Sequence, residues 1–328
     1  MTAGSYAAQV VATKDLKIHF PIRNRQTVKG VDGVTFSVRQ GETFGIIGES
    51  GSGKSTLGRA LAGLLKPTEG EVIRAEGDAR RDYQIIFQDP HAALNPRMTI
   101  IDSVCEPLII WGSSRRDAET EALKAMDQVG LGTDFADRYP HELSGGQKQR
   151  VNIARALTLK PKLLVCDEIV AALDVSIQAE ILNLLAELQK ELNLTYVFIT
   201  HDLGVVSHIS DRIAVMYLGA FVELCDAEEI NARPLHPYTE ALLSAEPEPF
   251  PADMRAARRI ILDGEIPSPV SPPSGCHFRT RCRFAREICA AERPEFREYA
   301  PGHHVACHFA GELPLASDVP HVASTVRK

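Results

Sequence analysis

Gly48-Glu49-Ser50-Gly51-Ser52-Gly53-Lys54-Ser55 satisfies every fixed position of the phosphate-loop pattern. Each residue type has a physical task there. Glycines let backbone N–H groups wrap a phosphate closely, and Lys54 brings a cation to the β- and γ-phosphates. Ser55 offers a hydroxyl to Mg²⁺ at a helix N-terminus, with Thr56 next in line. The chemistry is the binding of a nucleoside triphosphate with its magnesium. Far downstream, Leu163-Leu164-Val165-Cys166 is an apolar run that ends in the adjacent acids Asp167 and Glu168. A parallel sheet presents acids to a ligand in this way, at the C-terminal ends of its strands. Because side chains alternate along a strand, the acids can divide the work. Asp167 is expected to hold Mg²⁺, directly or through water, and Glu168 to act as general base on the attacking water.

Cys276, Cys282, Cys289 and Cys307 form a third set, with five, six and seventeen residues between successive members. These spacings match neither the usual zinc ribbons nor ferredoxin runs, so the residues alone leave Zn²⁺, an iron–sulfur cluster or free thiols open. His277, His303, His304 and His308 are near enough in sequence to be alternative ligands. Arg279, Arg281, Arg283 and Arg286 are interleaved with the thiols. They read either as counter-charges for a thiolate-bound group or as a solvated basic face. Cys105, Cys166 and Cys225 lie in apolar contexts and read as core thiols.

These residues need a scaffold, and the apolar pattern supplies one. Alternating stretches at Asp15 to Phe20 and Val31 to Val38, separated by the basic loop Arg23–Lys29, predict antiparallel strands. A strand at Thr43–Ile47 and a helix at Ser55–Leu65, stopped by Lys66-Pro67, flank the glycine-rich loop. From Pro90 to His141 the pattern is mainly helical, with helices predicted at Ile100–Ile110 and Asp117–Val129. A helical subdomain inserted at about 90–160 follows. Then come the helix Gln147–Leu159, the strand Leu163–Asp167, the helix Val175–Leu192 and the strand Thr195–Thr200. Alternation of β and α implies a largely parallel sheet. From Pro234 onward lie 13 of the 20 prolines and four of the seven cysteines, so a boundary is expected there. The organisation read from this is a domain over 1–233, an extension over 234–310 and a flexible tail over 311–328.

The composition excludes several classes. With 328 residues, 44% of them hydrophobic, the chain can bury a large core without staples. A net charge of −7, a pI near 5.9 and the lack of a long Lys/Arg block give no support to general nucleic-acid binding. No apolar run approaches the roughly 20 residues that span a bilayer. The start, MTAGSYAAQVVATKDLK, lacks a basic n-region and is broken by Lys14 and Asp15, so it is not a secretory signal. Cytoplasmic residence is the expectation, and seven cysteines there read as thiols or metal ligands rather than disulfides.

Leu143-Ser144-Gly145-Gly146-Gln147, followed by Lys148-Gln149-Arg150, resembles the signature of ABC-type ATPases. Ser144 is a good N-cap, and the two glycines leave backbone donors open at a helix start, which makes an anion site. The resemblance implies that this segment meets the γ-phosphate held by a partner subunit, in a head-to-tail dimer that sandwiches two nucleotides. The family's other motifs fall in order: Gln88 after the strand Gln84–Phe87, Ala172-Leu173-Asp174 after the acids, and His201 after Thr200. The resemblance implies that Gln88 links Mg²⁺ and water to the transmembrane interface, that Asp174 couples the two sites, and that His201 contacts the γ-phosphate. Glu168, His201 and Gln88 are then the catalytic set, and Ser55, Gln88 and Asp167 the magnesium set. Phe20 is the candidate for the aromatic that stacks on adenine. The implied fold is α/β, a RecA-like mostly parallel sheet with an N-terminal antiparallel β layer, an inserted helical subdomain and a small Pro/Cys-rich extension. The sequence departs from the family where Ile169-Val170-Ala171 replaces the usual Pro-Thr-Ser. That removes a fixed φ and two hydroxyls behind Glu168, and the expectation is a competent but slower hydrolytic site.

Further stretches narrow the branch: Phe87-Gln88-Asp89-Pro90 with Leu94-Asn95-Pro96-Arg97, Asp211–Gly219, and His236-Pro237-Tyr238-Thr239. Together these are similar to the ATPases of oligopeptide/dipeptide importers, over about residues 15 to 310. The resemblance implies ATP hydrolysis that drives peptide uptake; relatives also import nickel or small glycosides. It implies as partners a second ATPase subunit, a paralogue by preference, two transmembrane permeases and an extracytoplasmic solute-binding protein. The expected location is peripheral, on the cytoplasmic face of the inner membrane. Some relatives carry a 4Fe–4S cluster on a similar cysteine set, so the resemblance favours a cluster on Cys276, Cys282, Cys289 and Cys307. The rival reading, a soluble ABC ATPase of translation or repair, fits less well, since neither a second cassette nor a long coiled-coil insertion is present.

Overall fold

The computed structural model describes residues 9–22, 26–245 and 260–315; part of the basic loop after Phe20 and most of the expected tail lie outside the described residues. Two long strands, β1 (Gln9–Pro21) and β2 (Thr27–Arg39), pair antiparallel, and β4 (Glu69–Arg74) adds to β1, giving a three-stranded layer in the order β2-β1-β4. Leu16, Ile18, Val31 and Val34 point from this layer into a core shared with Phe44, Ile46, Leu57 and Leu61. The alternation read from the sequence is thus the inner face of a half-buried sheet.

The second sheet has the order β10-β11-β9-β8-β3-β7-β6-β5. Its heart is β3 (Thr43–Ile47) between β7 (Thr195–Thr200) and β8 (Arg212–Tyr217), followed by β6 (Leu163–Asp167) and β5 (Tyr83–Ile86), all parallel. Every residue of β3, β6 and β7 is buried, as expected for parallel strands covered on both faces. The helix α1 (Lys54–Leu61) is shorter than the sequence predicts. Gly63 takes φ +76°, its N–H bonds the Ala60 carbonyl, and the Leu64 N–H bonds the Arg59 carbonyl, which closes the helix before Leu65.

A short helix α2 (Ala79–Asp82) leads into β5, and the inserted subdomain follows. It is built on α3 (Ile100–Ile110), α4 (Arg115–Gln128) and α5 (Gly145–Leu157), capped by Thr99, Ser114 and Ser144. The Ser144 cap starts α5 two residues before the predicted helix, and Ala118, Ala122 and Ala125 let α4 lie close against its neighbours. Long helix α6 (Val175–Leu192) buries Ile181, Leu184, Leu185 and Leu188, and α7 (Leu203–Ile209) follows β7. After β9 (Ala220–Asp226) come α8 (Ala227–Ala232) and α9 (Pro237–Ser244). The Cys-rich segment then returns to the main sheet, where β10 (Arg297–Ala300) pairs with β11 (His303–Val305) and β11 pairs with β9. Among the described residues no helix is long and apolar enough to cross a membrane.

Candidate functional site

The phosphate loop leaves the C-terminal end of β3, the middle strand of the parallel set, and enters α1. Gly48 and Gly53 have φ +155° and +107°; a Cβ at Gly53 would run into the Gly30 carbonyl, and one at Gly48 into that of Met216. Only glycine fits a loop pressed this tightly between β2 and β8. Gly53 offers no side-chain cap, so the first-turn N–H groups of α1 are left open for an anion. Lys54 is buried and donates from Nζ to the carbonyls of Gly48 (2.8 Å) and Glu49 (3.0 Å). Burial lowers its pKa, against the opposing pull of the Glu168, Asp167 and Glu49 carboxylates.

Ser55 Oγ donates to Asp167 Oδ1 at 2.8 Å, which joins the end of β6 to the start of α1. Burial pushes the Asp167 carboxyl up, and the Ser55 bond draws it back. Glu168 follows in the left-handed region at φ +52°, with its N–H on the Ile199 carbonyl (2.8 Å). Its carboxylate accepts Gln88 Nε2 at 2.9 Å and lies 3.5 Å from His201 Nδ1. Residues from the ends of β5, β6 and β7 therefore meet at one sheet edge, with Ser55 and Lys54 beside them. The arrangement can hold a cation between Ser55 and Asp167 and present an oriented carboxylate to a water. Ile169 and Val170, at the departure from the family pattern, are buried in the core with Ile86, Leu164, Cys166 and Ile181.

The other candidates take no part in these contacts. Ser144 Oγ accepts the Gln147 N–H (3.3 Å) and Gln147 Oε1 accepts the Ser144 N–H (2.9 Å), a reciprocal cap. Gly145 and Gly146 pack toward Leu173 and Ile177, and among the described residues no hydrogen bond joins this segment to the phosphate loop. Asp174 is exposed at the N-cap of α6 without a side-chain cap bond. Phe20 lies with its ring edge over Gly30, next to Thr56 and so beside the phosphate loop, and is partly exposed.

All seven cysteines are free thiols. Cys276, Cys282, Cys289 and Cys307 gather in one corner: the Cys276 N–H bonds the Cys289 carbonyl at 2.8 Å, and Cys307 senses the other three electrostatically. Burial, reinforced by the neighbouring sulfurs, pushes Cys276 up to about 11 and Cys307 up to about 12. The arginines between them do not act as a general basic field. Arg281 forms a bidentate pair with Glu49, Arg283 pairs with Glu240, Arg279 bonds Ser274, and Arg286 lies 3.9 Å from the Phe309 ring centre. The histidines proposed as alternative ligands are engaged elsewhere: His303 on Glu223, His308 on the Glu292 carbonyl, and His304 stacked on Phe296. His277 is partly buried, with its pKa lowered to about 4.

Sequence reasoning missed Glu223. Fully buried on β9, it accepts the N–H groups of Leu235 (2.6 Å) and His236 (3.0 Å) and meets His303 Nε2 at 2.8 Å. Cys225 and His303 lie with it within 4.8 Å, but the carboxylate is already saturated by donors, so the trio is a clip that closes the Cys-rich segment onto the sheet. It also passed over Tyr238, whose hydroxyl accepts the Glu49 N–H at 2.9 Å. The family stretch His236–Thr239 was a signal for it, though not for its contact.

The family described as ABC transporter matches residues 31–171, and the oligopeptide/dipeptide transporter C-terminal region matches residues 222–289. The chain is 50% identical over 329 residues to the oligopeptide transport ATP-binding protein AppF of Bacillus subtilis, covering 94% of this chain and 99% of that one. It is 51% identical over 314 residues to the oligopeptide transport ATP-binding protein OppF of Salmonella typhimurium, covering 89% and 94%. Among solved structures it is similar to cbiO1 from Clostridium perfringens, part of the ABC transporter complex cbiONQ, at TM-score 0.61 and 28% identity over 69% of this chain and 91% of that one. The dimeric ATP-binding cassette MJ0796 bound to ADP and Pi is similar at TM-score 0.59 and 32% identity, over 66% and 99%.

Proposed function

The chain belongs to the oligopeptide/dipeptide transporter branch of the ABC ATPases, and on that premise we propose that it is the ATP-hydrolysing subunit of an importer that takes up oligopeptides or dipeptides through transmembrane permeases. The observation that carries the catalytic part is the convergence of Gln88, Glu168 and His201 beside the Ser55–Asp167 pair. The oxygens of Ser55 and Asp167, already 2.8 Å apart, suit the hard-oxygen preference of Mg²⁺. Magnesium bound there neutralises charge on the phosphates. Lys54 exchanges its bonds to the Gly48 and Glu49 carbonyls for phosphate oxygens. Glu168, oriented by Gln88 and His201, takes the proton of the attacking water.

The Ser144–Gly146 segment, which makes no hydrogen bond to its own phosphate loop among the described residues, serves the γ-phosphate of a second ATPase subunit. Asp174 couples the two sites, and Phe20 stacks on the adenine. ATP then has a higher affinity for the closed dimer than ADP has, which drives closure and reopening. The helical subdomain carries that motion to the permeases, on which the subunit sits as a peripheral protein, and a solute-binding protein delivers the peptide.

For the thiols we propose a 4Fe–4S cluster on Cys276, Cys282, Cys289 and Cys307. The residues fit such a group: the four are gathered, Cys289 buried and the other three half-buried, and the nearby Arg281 and His303 are occupied elsewhere. A single tetrahedral zinc with Zn–S bonds near 2.3 Å needs sulfurs roughly 3.8 Å apart. Among the described residues no three of these sulfurs lie within 4.8 Å of one another, so a larger group suits them better. The cluster supplies a crosslink for a segment of little regular structure.

The test is the complex purified anaerobically from gently solubilised membranes, with E168Q alongside. Co-purification of permeases, about four irons per chain, peptide uptake, and ATPase lowered about 10²-fold or more by E168Q with nucleotide still bound support the reading. Unchanged turnover in E168Q removes Glu168 as the base. Uptake of nickel instead of peptide changes the cargo but not the machinery.

A further inference from the structure

The Cys-rich segment reaches across the molecule to hold the first variable residue of the phosphate loop. Arg281 donates from Nη1 to Glu49 Oε2 at 2.6 Å and from Nη2 to Oε1 at 2.9 Å, a bidentate pair between residues 232 positions apart. The Arg281 side chain is 7% exposed and that of Glu49 25% exposed. Tyr238 Oη accepts the Glu49 N–H, so the residue is gripped by both side chain and backbone. Tyr217 packs edge to face on both Tyr238 and Phe278, which lie tilted against each other, in the aromatic cluster that holds Tyr238.

The electrostatics give the grip a purpose. A phosphate loop exists to gather the negative charges of a triphosphate, yet this one begins with a carboxylate immediately after Gly48. Left unpaired, that carboxylate repels the phosphates and competes with them for Lys54, whose Nζ already rests on the Glu49 carbonyl. Arg281 cancels the charge and, through its planar fork, fixes the loop geometry that aims Lys54. Its own place is set by the thiol-bearing loop: Arg281 precedes Cys282, and its N–H bonds the Phe278 carbonyl at 3.0 Å.

We propose that Arg281 is a positioning residue for nucleotide binding, acting through Glu49 to neutralise the one carboxylate of the phosphate loop and keep the loop in register. The inference rests on the reading of this loop as the ATP site, and the experiment separates the two. Binding of a fluorescent ATP analogue to the full-length subunit with Mg²⁺ is titrated for wild type, K54A, R281Q, R281K, E49Q and R281Q/E49Q. R281Q should weaken binding about tenfold, more at low salt than at high, and R281K should recover part of the loss. Removing the carboxylate as well, in R281Q/E49Q, should restore binding to within about threefold of wild type. A merely structural role for Arg281 predicts no such rescue, so a double variant as weak as R281Q overturns the proposal. So does wild-type binding by R281Q while K54A binds poorly. Undiminished binding by K54A refutes the assignment of the loop itself, whatever Arg281 does.

Discussion

Replacing Val170 by Thr should cost the subunit about 2 kcal/mol of stability and leave ATP turnover of the assembled complex within about twofold of wild type. Val170 is 2% exposed and packs, with Ile169, among Ile86, Leu164, Cys166 and Ile181. Threonine has nearly the shape of valine, so no cavity opens; the change exchanges a buried methyl for a hydroxyl. That hydroxyl loses water among apolar side chains, and the carbonyl of residue 170 already takes Gln178 Nε2 at 3.0 Å and the Leu173 N–H at 3.1 Å. An unmet buried hydroxyl costs about 1–3 kcal/mol. With a urea slope of about 3 kcal/mol/M the unfolding midpoint falls by about 0.7 M. Turnover is spared because the Glu168 carboxylate is oriented by Gln88 and His201, from other strands, and not by the residues that follow it. The assays are urea unfolding of the purified subunit and ATPase of the complex. An unchanged midpoint would refute the packing argument. A several-fold rise in turnover would show that the missing hydroxyl of the family pattern serves catalysis, as the sequence alone suggests.

Further outcomes follow from single contacts. S55A removes the hydrogen bond that draws the buried Asp167 carboxyl down, and one oxygen donor with it, so half-maximal ATPase should need about tenfold more Mg²⁺; an unchanged Mg²⁺ titration counts against this site. E223A strips a fully buried carboxylate from the N–H groups of Leu235 and His236 and should cost about 3–5 kcal/mol by denaturant unfolding. Burial lowers the pKa of His236 from 6.5 to about 3, so the folded state keeps it neutral while the unfolded chain protonates it as pH falls below 6.5. Its contribution is complete above that pH and is lost at up to about 1.4 kcal/mol per unit between there and pH 3. H236N keeps an acceptor for the Tyr238 N–H and should therefore lose less stability than wild type between pH 7 and 5. Chelation of whatever the four thiols hold should weaken ATP binding in wild type and much less in R281Q/E49Q, read by the same fluorescent titration.

The sheet edge where Gln88, Asp167, Glu168 and His201 meet was legible because each of its parts is local. The glycine-rich loop, the apolar strand ending in Asp167 and Glu168, and the strand before His201 each announce themselves within ten residues, and parallel topology brings their ends together. Helix limits were less legible where one residue overrides the periodicity: Gly63 stops α1 short of Leu65, and the Ser144 cap starts α5 early. What could not be read was long-range polar pairing. Arg281, between two cysteines, read either as a counter-charge for its neighbours or as part of a solvated basic face. Its fork instead finds Glu49, and nothing within either local window predicts a partner 232 positions away. Glu223 likewise sits in an apolar strand, where a single acid gives no hint that Leu235, His236 and His303 will saturate it.

Those long-range pairs share a direction, and that bears on how the molecule works. Glu223 binds His303, Asp32 of β2 binds Arg293, and Glu49 binds both Arg281 and Tyr238. In the three side-chain pairs the sheet or the phosphate loop supplies the acid and the part of the chain beyond Pro234 its partner, while Tyr238 accepts the Glu49 N–H. Removing His303 from the fully buried Glu223 costs several kcal/mol because the carboxylate is left with an unmet buried oxygen. A Cys-rich segment with few regular elements cannot meet that cost through its own core, but thiols drawn to one centre can hold its loops and so keep the donors aimed. On the proposed reading, the order of the phosphate loop depends on the group that the cysteines would hold, through Arg281, and the nucleotide site gains a structural support that its own motif does not contain.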